Sequence, residues 1–293
     1  MKRRAARLCF VVLLGAGSIT CGPGGGRSLE AERIPVTDEP GWRLSELSLS
    51  PNGQWAAVSA ASSSERLGFR LFLIDLGTLT ASEATPSRDA EAQLVANREP
   101  GMVTAVWAAN GSELRFAAGR VEPSWILGAY QSETPTYQRS VTVGSRAWFR
   151  VAGTAAGHWA LELDDSPATV ERPPVEAHSI DPRLTIRWLG RGSFDLLDQE
   201  RGGRVITTFR GITWYHLDTA TIAPGGDWIA LTVGREAAFH HGSRGLLVER
   251  ATGRRTVLGD LLVGALHFHP TKREIYGVSK EGGPEWELVR WRY

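Results

Sequence analysis

All seven histidines of this 293-residue chain fall in its second half: His158, His178, His216, His240, His241, His267 and His269. His267 and His269 stand two apart in a stretch that reads as a strand, so their side chains share a face. With His240 and His241 they make a candidate metal site of imidazoles, ligands that suit zinc, copper, iron and nickel. The competing reading assigns these histidines to strand edges and loops, some of them bonded to backbone. No H-E-x-x-H string and no Asp/Asn-rich calcium loop supports a metal, so no cofactor is expected.

Other chemistry is weaker still. A serine hydrolase needs a G-x-S-x-G elbow between a strand and a helix. The nearest strings, Gly192-Ser193-Phe194 and Gly242-Ser243-Arg244-Gly245, lack that glycine spacing and a following helical pattern. Asp164 and Asp165 are adjacent, so on a strand or turn they point apart and suit paired acid–base work poorly. Gly24-Gly25-Gly26 and Gly202-Gly203 open no helix and make no phosphate cradle. No catalytic residue is assigned, and the expectation is a non-enzyme.

The N-terminus carries an address. Lys2, Arg3, Arg4 and Arg7 precede a 13-residue, mostly apolar run, Leu8 to Thr20, ending at Cys21. A membrane span needs about 20 apolar residues, so this run reads as a signal h-region with a small-residue cut site. Ser18-Ile19-Thr20-Cys21 resembles the lipobox of bacterial lipoproteins. That resemblance implies a signal peptide over 1–20, lipidation of Cys21 and a flexible tether over 21–29. Several acyl chains on one cysteine give stable anchoring. Gly22 after the cysteine implies, by analogy with Gram-negative sorting, the outer membrane facing the periplasm. The alternative is an ordinary cleaved signal beside an accidental cysteine. Cys9 leaves with the leader, so the mature domain holds no free thiol and no disulfide staple.

Eleven Trp and 33 Gly against two Met favour strands and tight turns over helices. Loss of the four leader cations takes the formal charge from +1 to −3. No basic stripe marks a nucleic-acid surface, and no nucleic-acid partner is expected.

One phrase recurs: apolar strand, Pro or Asn-Gly turn, apolar strand. It reads Leu47-Ser48-Leu49-Ser50-Pro51-Asn52-Gly53-Gln54-Trp55-Ala56-Ala57-Val58, and again from Thr221 to Leu231, with looser copies at Ala105–Phe116 and Leu266–Tyr276. Asn52-Gly53 and Asn110-Gly111 are hairpin signals because both residues tolerate positive φ. The spacing is 58 residues from Pro51 to Ala109 and 46 from Pro224 to Pro270, periods proper to propeller blades. A second phrase follows: Arg70–Asp75, Phe194–Asp198 and Gly245–Arg250 each read as a strand ending in charge, then a turn.

These phrases resemble the repeat of TolB-type propellers and of the propeller of prolyl oligopeptidases. The resemblance implies an all-β fold over 30–293: a single β-propeller of six four-stranded blades, with an N-terminal strand near Arg33–Thr37 completing the last blade. Closure of that kind removes exposed strand edges. The alternative is an open β-sandwich pair, or two β domains joined near Pro173-Pro174. Trp55, Trp159 and Trp228 repeat at the start of inner strands and read as core between blades. Trp42, Trp125, Trp214 and Trp286 fall off that register and are candidates for a partner-binding rim. The function implied is a lipid-anchored envelope scaffold or accessory subunit that binds a protein or peptide. The alternative is a glycan, metal or small-molecule binder, or enzyme, at the channel mouth.

Overall fold

The computed structural model describes residues 29–37, 41–62, 68–97, 100–126, 138–165, 180–190, 193–210, 215–235, 243–279 and 287–293. Cys21, the leader, His178, His240, His241, Trp214 and Trp286 lie outside these residues, and at Trp125 and His216 only the backbone is described.

After β1 (Ala31–Ile34), strands β2 (Trp42–Leu49), β3 (Trp55–Ser62), β4 (Phe69–Asp75) and β5 (Thr80–Glu83) form a four-stranded antiparallel sheet in chain order, the first blade. The short β6 (Thr85–Pro86) and helix α1 (Arg88–Ala96) lead to the second blade. That blade is β7 (Gly101–Trp107), β8 (Glu113–Ile126), β9 (Gln138–Gly153) and β10 (Trp159–Leu163), with β6 added parallel to β10. The third blade shows β11 (Leu184–Gly190), β12 (Ser193–Asp198) and β13 (Arg204–Phe209).

The fourth and fifth blades share one continuous ladder. It contains β14 (Tyr215–Ile222), β15 (Trp228–Arg235), β16 (Ser243–Glu249), β17 (Arg255–Phe268), β18 (Glu274–Ser279) and β19 (Glu287–Arg292). The first residues of β17 pair with β16 and complete the fourth blade; its last residues pair with β18 and begin the fifth. β1 then pairs antiparallel with β19, from Ala31 opposite Trp291 to Ile34 opposite Leu288. The chain's two ends thus close the fifth blade, as the repeat predicts. The closing strand ends at Ile34 rather than Thr37, because Pro35 has no N–H to give the ladder.

The described strands make five blades rather than six. The counting differs at Ala147–Pro174, where Trp148–Val151 belongs to β9 and Trp159–Leu163 to β10, two strands of one blade. The long β8–β9 hairpin absorbs the residues that a further blade would need.

The blades stack because their strands alternate. On β3, Ala57 packs toward the second blade while Ala56, Val58 and Ala60 pack toward the fifth. One core joins the first and second blades with Ala90 and Leu94 of α1. Others join the fifth to the first, the third to the fourth, and the fourth to the fifth. Ser87 caps α1, accepting from the Ala90 N–H at 3.3 Å. Among the described residues no helix is long and apolar enough to cross a membrane.

Candidate functional site

The inner strands β2, β7, β14 and β17 of four blades carry the phrase that the sequence repeats. β2 lies beside β7 on one side and β17 on the other, and β14 lies beside β17. A parallel bridge from Ile180 to Ala220 sets the third blade's first segment against β14. These strands surround the centre of the ring. Four of them are bulged: β2 between Leu44 and Leu47, β7 between Met102 and Thr104, β14 between Leu217 and Thr219, and β17 between Val263 and His267. A bulge inserts an unpaired residue and re-aims its neighbours. Hydroxyl pairs support two of these kinks. Ser45 Oγ lies 2.7 Å from Ser59 Oγ, and Thr219 Oγ1 lies 2.6 Å from Thr232 Oγ1.

Glu46 sits in the bulge of β2. Its backbone N–H donates to Ser59 Oγ at 3.3 Å, while among the described residues its carboxylate has no hydrogen-bond donor and no ion-pair partner. Burial pushes this carboxyl up to about 7. His267, on the neighbouring inner strand, is likewise without a described partner, and burial pushes its imidazole down to about 4. Both side chains keep partial exposure, as deep groups on an inner strand do. Two adjoining inner strands at the fifth-to-first junction therefore carry a carboxyl that burial pushes up and an imidazole that burial pushes down.

His269 answers to the structural alternative. It is 2% exposed, and both ring nitrogens are engaged by backbone. Nδ1 accepts from the N–H groups of Thr271 at 3.1 Å and Lys272 at 3.0 Å. The proton therefore sits on Nε2, which donates to the Gly53 carbonyl at 2.9 Å. Burial is the leading cause that holds this ring neutral. Gly53 is required here: its φ is +67°, and a Cβ would fall 2.4 Å from the imidazole Cε1. His240 and His241 lie outside the described residues, and among the described residues no group of three metal-ligating side chains occurs. His269 latches one blade's turn onto the next. Asn52 makes the same kind of tie from the first blade to the second, its Nδ2 donating to the Asn110 carbonyl at 2.8 Å.

The remaining candidates divide as follows. Ser193 opens β12 and Ser243 opens β16, so both precede strands, and neither has an elbow's strand-to-helix setting. Asp164 faces Arg115 at 3.6 Å, while Asp165 is exposed on a bend. Trp55 meets Trp159 edge-on at 5.2 Å across the first-to-second junction, and Trp228 packs on Tyr293 at 5.6 Å. That is the interblade core predicted for them. Trp42 is half-buried beneath Arg70, whose guanidinium lies 4.5 Å from the ring centroid. Trp125 stands opposite Arg139 on β9.

Glu46 escaped the sequence reading because it sits in an apolar alternation. The available signal was spacing. Leu44 and Leu47 are three apart where the strand period demands two, which marks a bulge and a residue thrown out of register.

Antiparallel blades around a centre, closed by the chain's own N-terminal strand, define a β-propeller. No family model matches the chain, and no curated protein matches it either. Solved structures similar to it include the β-propeller domain of Myceliophteria thermophila Cps50 (Swd1), at 11% identity over 85% of this chain and 97% of that one, with a TM-score of 0.33. A chain of the mitotic checkpoint complex is similar at 12% identity over 100% of this chain and 97% of that one, with a TM-score of 0.39. The isopeptidase AtxE2 is similar at 8% identity over 85% of this chain and 49% of that one, with a TM-score of 0.42.

Proposed function

We propose that this chain is a lipid-anchored propeller of the bacterial envelope that binds a protein or peptide partner without catalysing a reaction. The observation that carries the binding role is the β8–β9 ribbon. β7 pairs with β8 only as far as Gly119, and β10 pairs with β9 only from Phe149 to Gly153. Beyond them β8 and β9 continue alone from Val121 opposite Val143 to Ile126 opposite Gln138. A two-stranded ribbon past its blade leaves both edges without a neighbouring strand among the described residues, and such edges are where an extended peptide adds a strand.

The anchor rests on the leader, Cys21 and the glycine-rich tether. The proposed address is the outer membrane, with the ring facing the periplasm. Metabolic labelling with a fatty acid and detergent partitioning test it: wild-type protein should label and enter the detergent phase, and Cys21→Ser should do neither. Affinity capture from solubilised envelopes tests the scaffold. Wild type should recover a reproducible partner, and a variant lacking residues 121–143 should lose it; no partner with wild type defeats the reading. Glu46 and His267 favour a second reading, a small-molecule or glycan binder at the channel mouth. A thermal-shift response to envelope sugars without any captured protein would put that reading first.

A further inference from the structure

The Glu46 carboxylate has an unusual setting. β2 and β17 are both bulged where they adjoin, and Gly264 of β17 has φ +68°. Two acceptors converge over that glycine. From the place a Cβ would occupy, the Ser45 carbonyl oxygen is 3.5 Å away and Glu46 Oε2 is 3.7 Å away. Both oxygens lie at ordinary contact distance from that position, so Gly264 marks the place where the two acceptors approach β17.

Among the described residues, no ionisable group on the strands packed against β2 neutralises the carboxylate. β3 and β7 carry no ionisable side chain. β18 brings Glu274 and Tyr276, which bond to each other at 2.8 Å, and Glu274 also faces Arg290 at 3.7 Å. β17 brings His267, which burial keeps uncharged, together with Asp260, paired to Arg244 at 2.6 Å, and Arg255, which lies over the Phe209 ring. On β2 itself Arg43 is exposed. A partly exposed acid with no partner among the described residues, beside a second backbone acceptor, can receive a cation. A metal would need more ligands than one carboxylate and a carbonyl supply. An alkylammonium needs only a few acceptors and brings its own apolar stem. The flanking inner strand β7 leaves Val106 exposed at 40%, a surface such a stem can cover.

We propose that Glu46 and the Ser45 carbonyl form a site for a primary ammonium group on an alkyl chain, the end of a lysine side chain presented into the centre of the ring. The proposal deepens the peptide-binding reading and rests on it for the ligand's source. The ammonium donates to Glu46 Oε2 and to the Ser45 carbonyl. Binding requires the ionised acid, so it expels the carboxyl proton wherever the empty site is protonated.

The whole purified chain is titrated with Nα-acetyl-lysine N-methylamide, and in parallel with the neutral norleucine analogue, while the Glu46 side-chain carboxyl is followed by carbon NMR. Saturable shifts are expected with the lysine amide alone. Apparent affinity should fall about tenfold for each pH unit below 7 and level off above pH 8. Glu46→Gln should lose at least about tenfold in affinity, the scale of one charge-assisted contact. Absence of saturation, equal binding of the norleucine amide, or unchanged binding by Glu46→Gln would each overturn the site. An envelope partner captured equally by wild type and Glu46→Gln would leave the scaffold standing and remove the ammonium site. Lysine-amide binding with no partner recovered would do the reverse.

Discussion

At the scale of single residues, three groups near the fifth-to-first junction make opposite demands on pH. Glu46 titrates higher in the folded chain than its ordinary 4.5. Its contribution to stability is therefore complete below about 4.5 and disappears as pH rises through about 7. His267 and His269 titrate below their ordinary 6.5. Their contribution is complete above that value and is lost as pH falls, for His267 down through about 4. The Glu46 and His267 windows overlap between about 4.5 and 6.5, where the two effects oppose each other, and above 6.5 only the Glu46 loss remains. Glu46→Gln should leave the unfolding free energy unchanged at pH 4 and raise it by roughly 1–3 kcal/mol at pH 8, after allowance for partial exposure. Urea unfolding at both pH values checks the sign; equal effects at the two would place the carboxyl in water. His269→Ala removes three bonds from a packed ring and leaves the Gly53 carbonyl and two N–H groups without it. A loss of roughly 2–4 kcal/mol is expected. His269→Gln should recover part of it, since an amide can both accept and donate.

At the scale of elements, the blades are tied by charge as well as by apolar packing. Arg250, 7% exposed, follows β16 and reaches across to Asp198 at the end of β12, which is 1% exposed. Its Nε donates to Oδ2 at 2.8 Å and its Nη2 to Oδ1 at 2.6 Å, with Glu200 taking a third bond at 2.7 Å. Burial alone would raise the Asp198 carboxyl; the Arg250 bonds and charge, with Arg201, hold it below the usual carboxylate range. Arg250→Ala strands a buried carboxylate and should cost about 3–5 kcal/mol. Asp198→Asn in the same background should recover stability, because the charge left behind is most of the penalty. Chemical unfolding of the single and double variants measures both steps.

The elements themselves were legible to different degrees. The turn after Pro51 and the turn after Pro224 were plain, because a hairpin needs particular residue types at particular places. The ring closure was legible as a strand lacking a partner. The bulges were legible at most as a break in spacing, as from Leu44 to Leu47, since one extra residue in a strand changes no composition. Nor was α1: its Ser87 cap is a local signal, but nine residues are too few for a clear period. The described strands count five blades where six were expected, because β8 and β9 run far beyond an ordinary blade strand. Glu46, His267 and the latch made by His269 all depend on which strand lies next in space. That information comes from the ring and is not written into any one segment.

At the scale of the whole molecule, a ring is only as closed as its weakest junction. Among the described residues, apolar clusters cross four of the five junctions: first to second, fifth to first, third to fourth and fourth to fifth. The second-to-third junction has no such cluster among the described residues. The fifth blade, by contrast, is sealed by β1, with Arg290 bonding Glu32 through its Nε at 3.1 Å and facing Glu274 at 3.7 Å. Local opening follows the distribution of buried apolar contact, and regions with little of it exchange first. The fifth-to-first seal, which combines an apolar cluster, a four-residue strand pairing and the Arg290 bonds, should therefore be among the last parts of the ring to open. Hydrogen exchange read by mass spectrometry should show β1 and β19 keeping protection as long as the buried β3. The strands that carry Glu46 and His267 would then stay formed through local opening elsewhere. Exchange at β1 and β19 well before β3 would mean that the terminal pairing is a weak seam.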